Sequence, residues 1–211
     1  MNTGRQIVLP TGLLEIQAED GEFSLDELVR FAARNNPKRG FLFVSTVLGK
    51  HWPAQPAAMR RAHDALAARL PTDLAGPVAV IGLGETATGL GLGVFEALLR
   101  RHTNCPAVYV HTSRYRLSAY HHLSFAELHC HAPDHLVHLP QEPEARQRFL
   151  TARTLLLVDD EMSTGNTFVN LAQAYHAANP ALERVILVTL TDFSGPAARQ
   201  CCRAAGAAAS M

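Results

Sequence analysis

The sequence predicts an α/β protein, a parallel sheet flanked by helices with a small N-terminal hood, and three observations carry that expectation. Short apolar runs recur at 78–83, 107–111, 154–158 and 185–191, each about the length of a strand buried on both faces. Stretches with apolar residues at three- and four-residue spacing, 59–69, 90–101 and 168–178, alternate with them as helices. Strand followed by helix, repeated, is the pattern of a parallel sheet covered on both sides. The 211 residues, 47% hydrophobic and 18% charged, suffice for one substantial core. A single domain over 1–211 is therefore expected, with about 1–55 as the hood and about 56–200 as the α/β core.

Taken in order, the first fifty residues read differently from the rest. Leu25 to Ala33 has helical spacing and Gly40 to Leu48 is extended, which suits a cap on the core. Pro71 and Gly76-Pro77 separate the first core helix from the first core strand, and Asn179-Pro180 ends the last one. Eight of the eleven histidines fall between His102 and His138, a stretch with few helix or strand signals. A zinc site and ordinary surface histidines are both readings of it, and the spacings match no common structural zinc motif. The Ala-rich tail reads as a frayed helix end.

Nineteen basic residues balance nineteen acidic ones, so no overall field favours nucleic acid or an anionic membrane. No run approaches the roughly 20 apolar residues of a membrane span, and the N-terminus lacks a basic stretch leading into a long apolar one. Cys105, Cys130, Cys201 and Cys202 form no paired CxxC framework, which suits reduced thiols. A soluble, cytoplasmic protein is expected, with neither nucleic acid nor membrane as partner.

The chemistry concentrates in 155–167, LLLVDDEMSTGNT. An apolar strand delivers Asp159, Asp160 and Glu161 to the carboxyl edge of the sheet, where α/β proteins bind ligands. Ser163, Thr164, Gly165, Asn166 and Thr167 then form a small hydroxyl- and glycine-rich turn at a helix N-terminus, a ready phosphate site. Carboxylates suited to sugar hydroxyls thus lie beside amides suited to a phosphate. Upstream, IGLGETATGLG (81–91) is a second strand, loop and helix start, whose small residues let backbone amides approach an anion.

The segment LLLVDDEMSTGNTF closely resembles the PRPP-binding signature of type I phosphoribosyltransferases (PRPP, 5-phosphoribosyl 1-pyrophosphate). The order of GFLFVSTVLGKH, IGLGETATGLG, YVHTSR and VDDEMSTGNTF is similar to an orotate phosphoribosyltransferase-like subgroup found beside tellurium-resistance genes. The resemblance implies the type I fold and transfer of the phosphoribosyl group of PRPP to a nucleobase or related heterocycle, or the reverse, with Mg²⁺ and as a homodimer. It puts Asp159 and Asp160 on the ribose hydroxyls, Glu161 near the reacting face, and 163–167 around the 5-phosphate. Gly84, Glu85, Thr86 and Ala87 would cradle the pyrophosphate. Many members carry a Lys or Arg in that loop. Here Arg114 is the first candidate for the missing cation, with Arg116 and Lys50 as others.

Glu85 serves either to orient a magnesium-bound water or as an acid favoured at a helix N-terminus. Metal would be held mainly through PRPP and water, with Asp159, Asp160 or Glu85 as protein contacts. Ser45 and Lys50 would belong to the hood, on the acceptor side. The resemblance also implies a lid, for which Tyr115 to His131 is the natural segment, with Phe125, Glu127, His129 and His131 on it. The rival readings are a PRPP-sensing regulator without catalysis and a plain nucleotide-binding α/β domain.

Overall fold

The structure is a computed structural model that describes residues 5–16, 21–36, 40–125, 135–196, 200 and the backbone of 207–210. The chain forms two compact units, Met1–Met59 and Arg60–Met211. In the first, β1 (Arg5–Leu9) and β2 (Gly12–Ile16) make an antiparallel hairpin. A single turn, α1 (Leu25–Leu28), starts at Ser24, whose backbone N–H donates to the Glu27 carboxylate at 2.9 Å. Both terminal nitrogens of Arg5 meet the Asp26 carboxylate at 2.9 Å, and this hydrogen-bonded guanidinium lowers the Asp26 pKa.

The helix expected over Leu25–Ala33 stops at Leu28. From Val29 the chain becomes β3 (Val29–Ala33), antiparallel to β4 (Phe41–Ser45). The physical reason is a cross-strand aromatic pair: Phe31 lies opposite Phe43 in the ladder, with ring centroids 5.5 Å apart edge to face. β-Branched Val29 and that pairing outweigh the helical spacing.

The second unit is entered through α2 (Pro56–Ala68). There follow β5 (Val78–Gly82), α3 (Thr88–Arg101), β6 (Ala107–Ser113), β7 (His122–Phe125), β8 (His135–His138) and α4 (Pro143–Leu150). β9 (Thr154–Met162), α5 (Asn166–Ala178), β10 (Arg184–Asp192) and β11 (Ala207–Ser210) complete it. Seven strands form one sheet in the order β11-β10-β9-β5-β6-β8-β7. The five from β11 to β6 are mutually parallel; β8 is antiparallel to both β6 and β7. The expected α/β architecture is observed, with the correction that one edge of the sheet is antiparallel.

Every residue of β5 is buried, as a central strand covered on both faces requires. On one face Phe149 of α4 and Phe168, Leu171 and Tyr175 of α5 pack with Ala79, Ile81, Leu155 and Leu157. Helix α3 buries Leu90, Val94 and Leu98. The β5-α3-β6 and β9-α5-β10 crossovers run in opposite directions along the sheet, so right-handed connections put α3 and α5 on opposite faces. Burial of each such Leu or Ile stabilises the fold by about 1.5–3 kcal/mol.

Two further expectations are corrected. The His-rich segment contains strands β7 and β8, and Phe125, expected on a lid, is only 5% exposed and belongs to the core. Its ring lies 5.4 Å from that of His135, an aromatic contact that fixes the strand end. In the Ala-rich tail, 207–210 is a strand parallel to Val185–Val188 rather than a helix end, because pairing with an open sheet edge overrides alanine's helix preference. Among the described residues no helix is long and apolar enough to cross a membrane.

Candidate functional site

The strand order reverses direction between β5 and β9, and the crevice outside the carboxyl ends of strands at such a point is where open α/β sheets bind ligands. The two motifs found in the sequence meet there. Gly82 is the register partner of Val158, and the Leu83 N–H donates to the Val158 carbonyl at 2.8 Å. The glycine-rich loop therefore leaves the sheet beside the strand that carries Asp159.

β9 runs two turns of the pleat beyond its buried apolar stretch, so Asp159, Asp160 and Glu161 are held within the ladder, paired to β10 as Thr189↔Asp159 and Thr191↔Glu161. All three are half-buried. The Asp160 N–H donates to Asp159 Oδ1 at 2.9 Å, and the Thr191 hydroxyl donates to the Asp160 carbonyl at 3.1 Å. Asp159 keeps part of its surface toward solvent, but protein packs densely around its carboxyl. That desolvation, followed by the neighbouring Asp160 and Glu161 charges, pushes its pKa well above the ordinary carboxylate value. Three crowded carboxylates at a strand end make a negative site that favours a cationic or hydroxyl-bearing ligand.

Ser163 and Thr164 follow as exposed residues, and buried Gly165 is the N-cap of α5 with φ +76°. That left-handed backbone suits glycine and lets the chain reverse from strand to helix within three residues. No side chain caps this end, and the Thr164 hydroxyl approaches the Asn166 N–H only at 3.5 Å. The first-turn amides of α5, at Asn166 and Thr167, are thus presented at the crevice, the arrangement that attracts a phosphate.

In the other loop, the peptide joining Gly84 to Glu85 is cis. The Gly84 N–H donates to the hydroxyl of Thr112 on β6 at 2.7 Å, and the Ala87 N–H to the Leu83 carbonyl at 3.0 Å. Two of the four amides expected to face an anion are therefore turned inward. Glu85 is exposed at the apex, Thr86 is half-buried, and the end of α3 at Ala87 has no side-chain cap. Arg114 is exposed one residue beyond β6, and Arg116 is exposed two residues further on. In the first unit, Ser45 ends β4 with its hydroxyl accepting the Val47 N–H at 3.3 Å, and Lys50 is exposed. Glu127, His129 and His131 lie outside the described residues.

Sequence reading missed Thr112, a buried threonine between His111 and Ser113 at the end of β6, and Thr191 on β10. A polar residue at a buried strand position was the available signal. Among the described residues no three His, Cys, Asp or Glu side chains converge to hold a metal ion. Asp159, Asp160 and Glu161 at the end of β9 and Glu85 on the loop after β5 offer only carboxylate oxygens, the chemistry of a hard cation kept partly hydrated.

A family model described as phosphoribosyl transferase matches residues 28–211. No curated protein matches the sequence. Among solved structures, an adenine phosphoribosyltransferase of Rhodothermus marinus is similar at 20% identity and TM-score 0.52, over 80% of this chain and 84% of that one. One from Thermoanaerobacter pseudethanolicus gives 15% identity and TM-score 0.58, over 88% and 95%. One from Trypanosoma brucei, in complex with AMP, pyrophosphate and ribose-5-phosphate, gives 15% identity and TM-score 0.51, over 87% and 73%.

Proposed function

This chain belongs to the phosphoribosyl transferase family, and from that premise we propose that the β5–β9 crevice transfers the phosphoribosyl group of PRPP to a nucleobase. The observation that carries the reading is the meeting, at one topological switch point, of a carboxylate-bearing strand end, an uncapped helix start and a glycine-rich loop. Asp159 and Asp160 accept hydrogen bonds from the ribose hydroxyls. The turn Ser163 to Thr167 takes the 5-phosphate on its backbone amides and hydroxyls. The loop Gly84 to Ala87 takes the pyrophosphate, with Arg114 as the cation the loop itself lacks.

The bond from C1 of the ribose to the pyrophosphate oxygen breaks with both electrons leaving on oxygen, and a ring nitrogen of the base forms the new bond to C1. The sugar becomes cationic as the leaving group departs, and the Asp159–Asp160–Glu161 cluster stabilises that charge without proton transfer. Mg²⁺, when bound, neutralises the leaving pyrophosphate. Asp159, Asp160 and Glu85 would hold it through water and substrate oxygens. On this reading the enzyme works in the cytoplasm as a homodimer.

Motif order supports an orotate-like subgroup associated with tellurium resistance. The adenine phosphoribosyltransferase neighbours support a purine acceptor. The test is pyrophosphate release from Mg·PRPP with a panel of purines, pyrimidines and orotate, beside the Asp159→Asn, Asp160→Asn double variant. Release that depends on one class of base and falls at least ~100-fold in the variant is the expected result. Absence of release, together with no thermal stabilisation by Mg·PRPP, would remove the PRPP reading.

A further inference from the structure

The glycine-rich loop after β5 has no lysine or arginine of its own, and β6 holds it at one point and the helix start that follows it at another. At the first, Thr112 of β6 is 2% exposed, and its hydroxyl accepts the Gly84 N–H at 2.7 Å. The carbonyl of the same residue lies well inside contact distance of where a Cβ on Gly84 would stand, so the loop is drawn directly onto β6. At the second, the Tyr109 hydroxyl donates to the Thr88 carbonyl at 2.6 Å, in the first turn of α3. Its ring stacks on Phe95 at 5.8 Å, and burial pushes the phenol up to about 12, so it stays a donor at physiological pH.

A buried hydroxyl with no partner is costly, and so is a buried N–H. The Thr112–Gly84 bond satisfies both at once, and it fixes which way the Gly84 amide points. With the Gly84 and Ala87 N–H groups turned inward, Glu85 stands exposed at the apex of the loop beside half-buried Thr86.

We propose that Thr112 is a positioning residue for pyrophosphate, its buried hydroxyl holding Gly84 so that the loop presents its Glu85–Thr86 backbone to the ligand. This role rests on the reading of the loop as the pyrophosphate site. Thr112 touches no reacting atom. It acts through the loop, much as an outer hydrogen-bond partner orients a ligand-binding group.

The experiment titrates inorganic pyrophosphate with Mg²⁺, and separately ribose 5-phosphate, into the full chain as wild type, Thr112→Val and Thr112→Ser. Loss of the acceptor in Thr112→Val should weaken pyrophosphate binding by about 10- to 100-fold. Ribose 5-phosphate, held by the β9–α5 turn, should bind as in wild type, and Thr112→Ser should restore pyrophosphate affinity. In turnover, the valine variant should show a raised KM for PRPP. Unchanged pyrophosphate affinity in Thr112→Val, or a parallel loss of both ligands, overturns the proposal. A wild type that takes ribose 5-phosphate but not pyrophosphate overturns the assignment of the loop itself, and the role of Thr112 with it.

Discussion

Asp159 concentrates the tension between stability and function in one side chain. Its carboxyl is desolvated and faces Asp160 and Glu161, so the folded protein holds its proton more tightly than the unfolded chain does. The stability this contributes is complete below the ordinary value of 3.8 and is lost as pH rises through the raised pKa, because the folded state must then accept a third close charge. Asp159→Asn should therefore flatten the fall in stability with rising pH. At pH values above the raised pKa, without ligand, it should raise Tm by about 2–4 °C for each kcal/mol of repulsion removed. Thermal melts at a series of pH values check this; a variant whose melting falls with rising pH as steeply as wild type would show that Asp159 is not the source of the slope. The same substitution should reduce ribose binding, as expected where a site is built at the expense of stability.

At the scale of elements, what the sequence made legible depended on burial from both sides. β5, β9 and β10 are continuous apolar runs because parallel strands meet helices on each face, and the loops after β5 and β9 announced themselves by glycine and paired acids. β7 and β8 were hidden by their histidines: His122 and His138 face each other across the ladder, with rings 6.0 Å apart, where apolar pairs would have given the alternation away. β11 was hidden by alanine, whose local preference is helical, and β3 by spacing that suits a helix equally well. Thr112 was hidden because its hydrogen bond is to a residue far away in sequence.

The same histidines give the antiparallel edge a pH response. Burial first, then the charges of His122 and His111, lower the pKa of His138, whose Nε2 accepts the Leu117 N–H at 3.3 Å. The folded state thus binds a proton at His138 less readily than the unfolded chain. Stability from this group is present above the ordinary value of 6.5 and is lost as pH falls through the lowered pKa. Amide protection factors, corrected for the intrinsic slowing of exchange in acid, should fall in 135–138 between pH 7 and pH 5 more than in β5, and His138→Gln should abolish the difference. An equal fall throughout the sheet would count against a local origin.

For the whole molecule, the sheet is finished by a strand from the far end of the chain. β11 covers β10, whose outer backbone groups would otherwise form a long parallel edge of apolar residues. Deleting residues after 206 should lower Tm and raise the rate of aggregation on heating, followed by light scattering. Unchanged melting would show that β10 tolerates an open edge.

The placement of the site at the β5–β9 seam reaches into how the molecule comes to exist at all. Val78 pairs with Thr154, and everything from α3 to α4 lies in the chain between them. Neither loop can find the other until that large segment has been closed and its entropy surrendered, a long-range step of the kind that slows folding. The crevice is expected to be among the last features to form, so during refolding the helical circular-dichroism signal should recover before affinity for the ligand does.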